Sequence, residues 1–154
     1  MEQRYKVADT IKTQILSNLI TAIEGVTEAN GYNRTVRKVA REAKDLNTPQ
    51  RDLVFVSTQF ETKGEPLLDN KVGVTLHLTV VCIVEDSSDL AKAVDNISAD
   101  VEKAICTDVS RGTLAIDTVV TRTEDHVVSD LEPMGSSVME VEITYRHTFG
   151  NPYI

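Results

Sequence analysis

Every second residue from Val72 to Val84 is apolar: Val72, Val74, Leu76, Leu78, Val80, Cys82 and Val84 alternate with Lys71, Gly73, Thr75, His77 and Thr79. A period of two sustained this far predicts a β-strand with one face on a core. Val81 and Ile83 interrupt the polar face, so the strand is expected to become buried on both faces at its end and to lie in the middle of a sheet. VMEVEITYRHTF, residues 138–149, repeats the alternation, with Met139, Val141, Ile143, Tyr145, His147 and Phe149 on the apolar side. LVFVSTQFET, 53–62, reads as a strand from its β-branched and aromatic residues and ends at the turn-prone KGEP. IDTVVTRTEDHVV reads as another strand and SDLEPMGSS, 129–137, as the turn after it.

Elsewhere the period changes. From Val7 to Ile23, Ala8, Ile11, Ile15, Leu16, Leu19, Ile20 and Ile23 recur at steps of three and four, predicting an amphipathic helix that stops at Gly25. Residues 85–108 carry a second stripe, Leu90, Val94, Ile97, Val101, Ala104 and Ile105, with Ser87 or Ser88 as cap and Asp89 suited to the first turn. RTVRKVAREAK, 34–44, fits a helix as well as an irregular strand; we read it as a strand, kept exposed by its basic residues. The order α-β-β-β-α-β-β, with single apolar faces, predicts a two-layer α+β domain over residues 1–154. Its sheet is mostly antiparallel or mixed, with two helices on one face.

With 154 residues the chain suffices for one core, and a net charge of −8 argues against gripping nucleic acid by phosphate neutralisation. Neither a signal core nor an apolar run of roughly 18 residues is present, so a cytoplasm-like compartment is expected, with no membrane. Charge is segregated: residues 34–44 sum to +4 through Arg34, Arg37, Lys38, Arg41 and Lys44 against Glu42. Residues 85–108 sum to −5 and include Asp95, Asp100 and Glu102. Such segregation is either a pair of solvated faces or a basic edge meeting an acidic helix on the next copy, a head-to-tail contact that closes a ring.

Candidate chemistry is sparse. His77, His126 and His147 stand alone, without ligand spacing such as HExxH, so no metal site, cofactor site or catalytic residue is assigned. Asp125 and His126 are strand neighbours that point to opposite faces. Cys82 and Cys106 read as two small buried hydrophobes kept reduced. Segments 42–52, 63–71 and 124–137 read as long loops, with Leu67, Leu68, Leu131 and Met134 either folding over the core or docking on a partner.

The ending MEVEITYRHTFGNPYI, together with VGVTLHLTVVCIVE, resembles the tail terminator (tail completion) proteins of tailed bacteriophages, the group that includes minor tail protein U of lambda-like phages. The motif is a strand with a tyrosine and basic pair, then glycine, an amide or acid, proline and an aromatic: Tyr145, Arg146, Gly150, Asn151, Pro152 and Tyr153. The resemblance implies a structural virion protein, not an enzyme. It would form a homohexameric ring that caps the tail tube, ends its polymerisation and joins the head connector, with genomic DNA passing through the lumen without specific binding. Tail tube protein and the head–tail connector or stopper are the implied partners, and the head-proximal end of the virion tail the implied location, after assembly in the host cytoplasm. On this reading Tyr145 is core, while Phe149, Pro152 and Tyr153 dock on their own domain or a neighbouring subunit. An acidic lumen would let DNA slide. Two alternatives remain open: a connector or stopper of the neck, and a small α+β enzyme or ligand-binding domain using His77 or His126 with nearby carboxylates.

Overall fold

The computed structural model describes residues 8–41, 52–128 and 133–154. Helix α1, Ile11–Glu24, starts at Thr10, whose hydroxyl accepts the backbone N–H of Thr13. The cap satisfies a donor that the first helical turn cannot pair internally. Val7 lies outside the described residues, and Ala8 is exposed ahead of the cap instead of joining the stripe. Ile15, Leu16, Leu19 and Ile23 are buried. Gly25 does end the helix, but with φ −74°, so the left-handed freedom of glycine is not used there.

Five strands follow the predicted order. They are β1 (Lys38–Ala40), β2 (Leu53–Lys63), β3 (Lys71–Glu85), β4 (Ala115–Val128) and β5 (Met134–Thr148), with α2 (Leu90–Thr107) between β3 and β4. The sheet runs β1-β2-β3-β5-β4; β1 is parallel to β2 and the other pairs are antiparallel. This is an α+β fold with a mixed sheet and β3 at its centre. The expected strand within 34–44 is present but only three residues long.

Register explains the layers. Val72, Val74, Leu76, Leu78 and Val80 stand opposite His147, Tyr145, Ile143, Val141 and Met139, and this whole face is buried. Helix α2 packs against β3, β4 and β5, while α1 packs against α2 and β1. The apolar stripes of both helices join these strands in one core cluster. On the opposite face Val81 and Ile83 are only half-buried, so the predicted burial on both faces at the end of β3 is partial.

Three local readings are corrected. Asp89, not Ser87 or Ser88, caps α2, its carboxylate accepting the N–H of Lys92. Ahead of it, Asp86 Oδ1 accepts from the Ser88 N–H, the Ser88 hydroxyl and the Asp89 N–H, a turn that delivers the chain to the cap. Second, 134–137 is strand and not turn or loop, because it pairs with the end of β3 and with 125–128, which are strand as the reading of IDTVVTRTEDHVV has it and not part of a loop 124–137. Gly135 marks where α2 packs on β5: a Cβ there would meet Val94 Cγ2 at 2.5 Å, so any other residue would force Val94 to shift. Third, Phe149 lies past the end of β5 and is exposed, so it does not continue the buried face.

Candidate functional site

Arg34 leaves the turn after α1 and reaches inward. Its guanidinium donates to Asp52 at 2.9 Å and to Asp86 at 3.3 Å, and its backbone N–H donates to Asp100 Oδ2 at 2.9 Å. The other Asp100 oxygen accepts from the Asn33 amide at 3.0 Å, and Asp100 is 3% exposed. Burial works against the Arg34 charge, yet the hydrogen bonds and attraction of Asp52 and Asp86 outweigh it and raise its pKa. Backbone and hydroxyl donors of Asp89 and Ser88, with help from Arg34, hold the Asp86 carboxyl far below the usual carboxylate range. This network ties the start of β2, the end of β3 and α2 to residues 33–34. Arg34 and Asp100 therefore have partners inside the chain, against the expectation that all five basic residues keep their segment exposed. Arg37 and Arg41 are exposed, Lys38 sits half-buried on the edge strand β1, and Asp95 and Glu102 are exposed on α2.

A second cluster forms where β3 begins and β5 ends. The loop at 64–70 is closed by Gly64 N–H to Gly73 O at 2.9 Å, Leu67 N–H to Lys71 O at 2.8 Å and Asn70 N–H to Leu67 O at 3.0 Å. The C-terminal residues turn back on the same end. Phe149 N–H donates to Asn70 O at 2.9 Å, Asn151 N–H to Thr148 O at 2.8 Å, and the Pro152 carbonyl accepts from Ile11 N–H at 3.1 Å. Gly150 makes the reversal with φ +73°, a conformation that disfavours other residues. The backbone is thus docked on its own domain while much of the apolar side-chain surface is left open to water. Leu68 is fully exposed, Phe149 is 58% exposed, and Leu67, Tyr153 and Ile154 are exposed beside them. Leu67 and Leu68 do not fold over the core. Met134 is exposed at the opposite end of β5, and Leu131 lies outside the described residues. Ile154 belongs to this apolar end but was not singled out by the sequence pattern.

At that end is an open surface pocket of about 350 Å³ lined by Lys63, Gly64, Val72, His147, Phe149, Gly150 and Pro152. Tyr145 next to it is buried, as expected, and its hydroxyl donates to Glu61 Oε1 at 2.6 Å. Burial, and then that bond to a carboxylate, push the phenol above its ordinary pKa.

The other histidines lie on the open face of the sheet. His77 stacks on Phe60 with ring centroids 4.2 Å apart, and its Nδ1 is 3.4 Å from Glu142 Oε1. They share a surface groove with Gln59, Thr79, Thr121 and Glu140. His126 is exposed, with Nε2 3.3 Å from Glu124 Oε1. Cys82 is buried, which pushes its thiol up to about 12, but Cys106 is exposed, so the reading of two buried cysteines holds for one. Among the described residues no group of three His, Cys, Asp or Glu is placed to hold a metal ion, and no helix is long and apolar enough to cross a membrane.

No family model matches the sequence, and no curated protein does. Among solved structures, the chain is similar to one from the virion of a native gene transfer agent particle, with a TM-score of 0.49 and 11% identity over 90% of this chain and 92% of the other. That likeness is too distant to carry function.

Proposed function

We propose that this chain is a structural virion protein of a tailed bacteriophage, a tail terminator that assembles as a hexameric ring on the head-proximal end of the tail tube. The observation that carries the reading is the gathering of Leu67, Leu68, Phe149, Tyr153 and Ile154, exposed together on a backbone fixed by hydrogen bonds. Exposed apolar side chains on a rigid support are a protein-docking surface, because water gains nothing from them and a partner does. Two of the five, Phe149 and Tyr153, lie in the segment Tyr145–Tyr153 that resembles tail terminators. Arg37, Lys38 and Arg41 on one edge and Asp95 and Glu102 on α2 supply exposed opposite charges for a head-to-tail subunit contact. Arg34 and Asp100 support that contact from inside, by fixing the positions of their neighbours. A ring of chains with net charge −8 would let DNA pass without holding it.

The test is the mass of the protein in solution, alone and with tail tube protein, by light scattering, with negative-stain imaging of tube ends. Hexamers, or rings formed only at tube ends, support the terminator. Binding to a connector ring but not to tube protein would assign the chain to the neck as a connector or stopper, and a monomer indifferent to both would overturn the reading. His77→Ala and His126→Ala should leave assembly intact; loss of a chemical activity in either with the fold retained would favour the enzyme or ligand-binding alternative.

A further inference from the structure

We infer that the two edges of the sheet are partners for each other: β1 of one copy pairs antiparallel with the second half of β4 on the next, and the sheet continues from copy to copy. This is the backbone contact that the head-to-tail assembly proposed above requires, and it rests on that assembly. Among the described residues β1 pairs only with β2 and β4 only with β5, so each strand leaves one side without a partner strand. An open edge is a template for another strand. The first half of β4 is covered from within the chain. Ala115 N–H donates to Ser110 O at 2.8 Å, the Thr118 hydroxyl donates to Val109 O at 2.8 Å, and the Cys106 thiol lies against the Val120 N–H. The second half has no such cover. Beyond the bulge at Val120 and Arg122, residues 122–128 pair with β5 one for one, and residues 121–127 are all exposed, Val127 at 48%.

Direction, level and charge agree. β1 and β2 run one way, and the antiparallel steps to β3, β5 and β4 leave β4 running the other. A neighbouring copy set alongside in the same orientation therefore presents β1 antiparallel to β4. The register puts both strands at one end of the sheet: Val39 stands on the row of Val54, Cys82, Ser137 and Asp125, on the helix side, and Lys38 on the row of Leu53, Ile83, Ser136 and His126, on the open side. Residues two apart share a face, so Arg37 belongs with Asp125 on the helix side and Lys38 with Glu124 on the open side. One register sets both pairs opposite. Arg37, Lys38 and Asp125 make no ion pair among the described residues, and Glu124 is shared only with Arg122 and His126 at the surface. Helix α2 adds to the acidic side. With about 100° per residue, Asp95, Glu102 and Cys106 lie on one flank of it and Asp100 on the other. Cys106 marks the first flank as the one over β4, whereas Asp100 faces Asn33 and Arg34. Asp95 and Glu102 thus overhang the open edge on the side where Arg37 and Arg41 of the next copy arrive. A strand as short as β1 supplies few backbone bonds, so charge decides the register and the contact weakens with salt.

The experiment mixes two full-length variants, Lys38→Cys and Glu124→Cys, under mild oxidation, with and without tail tube protein. Each also carries Cys106→Ser, which leaves only the buried Cys82 as a native thiol. Opposite residues of an antiparallel pair stand roughly 4.5–5.5 Å apart at Cα, within reach of a disulfide. The mixture should yield disulfide-linked dimers ~tenfold above either variant alone, because a head-to-tail contact joins unlike patches. High salt should suppress them. Charge reversal is the second readout and needs no oxidation: Asp125→Arg should weaken self-association about tenfold by light scattering, and Arg37→Asp in the same chain should restore it. Both side chains are exposed, so folding should survive. Cross-linking of the mixture together with the rescue supports the contact; if the linked species are open chains and not hexamers, the contact stands and the ring falls. Assembly without the cross-link, or linking as strong in either variant alone, overturns the contact and leaves the ring standing. A mixture that neither links nor associates overturns both.

Discussion

Two regions hold half of the residues that the sequence nominates for contact with other molecules: the charged network around Arg34 and the apolar end around Phe149. In the first, Asp52, Asp86 and Asp100 surround Arg34 and its backbone, and each named charge has a partner inside the chain. In the second, the backbone has its partners while apolar side chains remain in contact with water, with Leu68 fully exposed. The difference is physical. A charged group is satisfied by any opposite charge the fold brings near, so segregation of sign along a sequence does not say which molecule supplies the partner. An apolar group left outside the core after folding has no such internal remedy, and only a second surface removes it from water.

The comparison predicts opposite consequences for substitution. Asp100→Ala should produce the largest effect, a loss of about 2 kcal/mol, because it removes the acceptor of the half-buried Arg34 N–H, while the exposed Asn33 amide can turn to water. A shift of the urea midpoint at unchanged slope measures it. Self-association per folded molecule should not change. A variant as stable as the native protein would mean that Asp100 is not structural, and would return it to the interface.

A smaller effect separates Arg34 from its acids by pH. The Asp86 carboxyl is depressed in the folded state, first by the Asp89 N–H and then by Ser88 and Arg34. A depressed carboxylate contributes stability that is fully present above its unfolded pKa and is lost as pH falls through the folded one. Asp86→Asn should therefore be less stable than the native protein at neutral pH, and the gap should close progressively below about pH 4. Denaturation midpoints measured down the acid limb give the answer. A gap that is constant with pH would show that the amide fails for reasons of shape, and not because the carboxylate charge is missing.

How much of this was legible in the sequence follows from the range of the interactions involved. The alternation of β3 and the stripe of α2 are local patterns, and both elements stand where those patterns put them. The strand character of Met134–Ser137 is not local: the segment is polar and glycine-bearing, and it is extended because it pairs with Ser137's opposite number Cys82 and its neighbours on β3 and with Asp125–Val128 on β4. Arg34 gave no local sign that residues 52, 86 and 100 would converge on it. Of the apolar end, Leu67, Leu68, Pro152 and Tyr153 were each visible as apolar residues outside the periodic segments, and Phe149 as the last apolar member of an alternation, but their union depends on the pairing of Lys71 with Thr148. His147 looked like one more inward residue of an alternating strand. That its Nε2 is buried without a partner among the described residues is a property of the surrounding fold.

The smallest effect on stability and the largest on assembly should coincide at the apolar end. Leu68→Ser and Phe149→Ser remove side chains that make little of their contact with the core, so each should change folding stability by no more than about 0.5 kcal/mol. If these side chains meet a partner, the same substitutions should abolish ring formation or tube binding, since a few buried apolar anchors dominate such interfaces. Light scattering beside thermal denaturation reads both quantities on one sample. Lost assembly with retained stability would place the contact at this end of the sheet. Retained assembly would move it to the exposed charges of β1 and α2, where Arg41→Glu and Glu102→Arg, each disruptive alone and compensating together, would then be required.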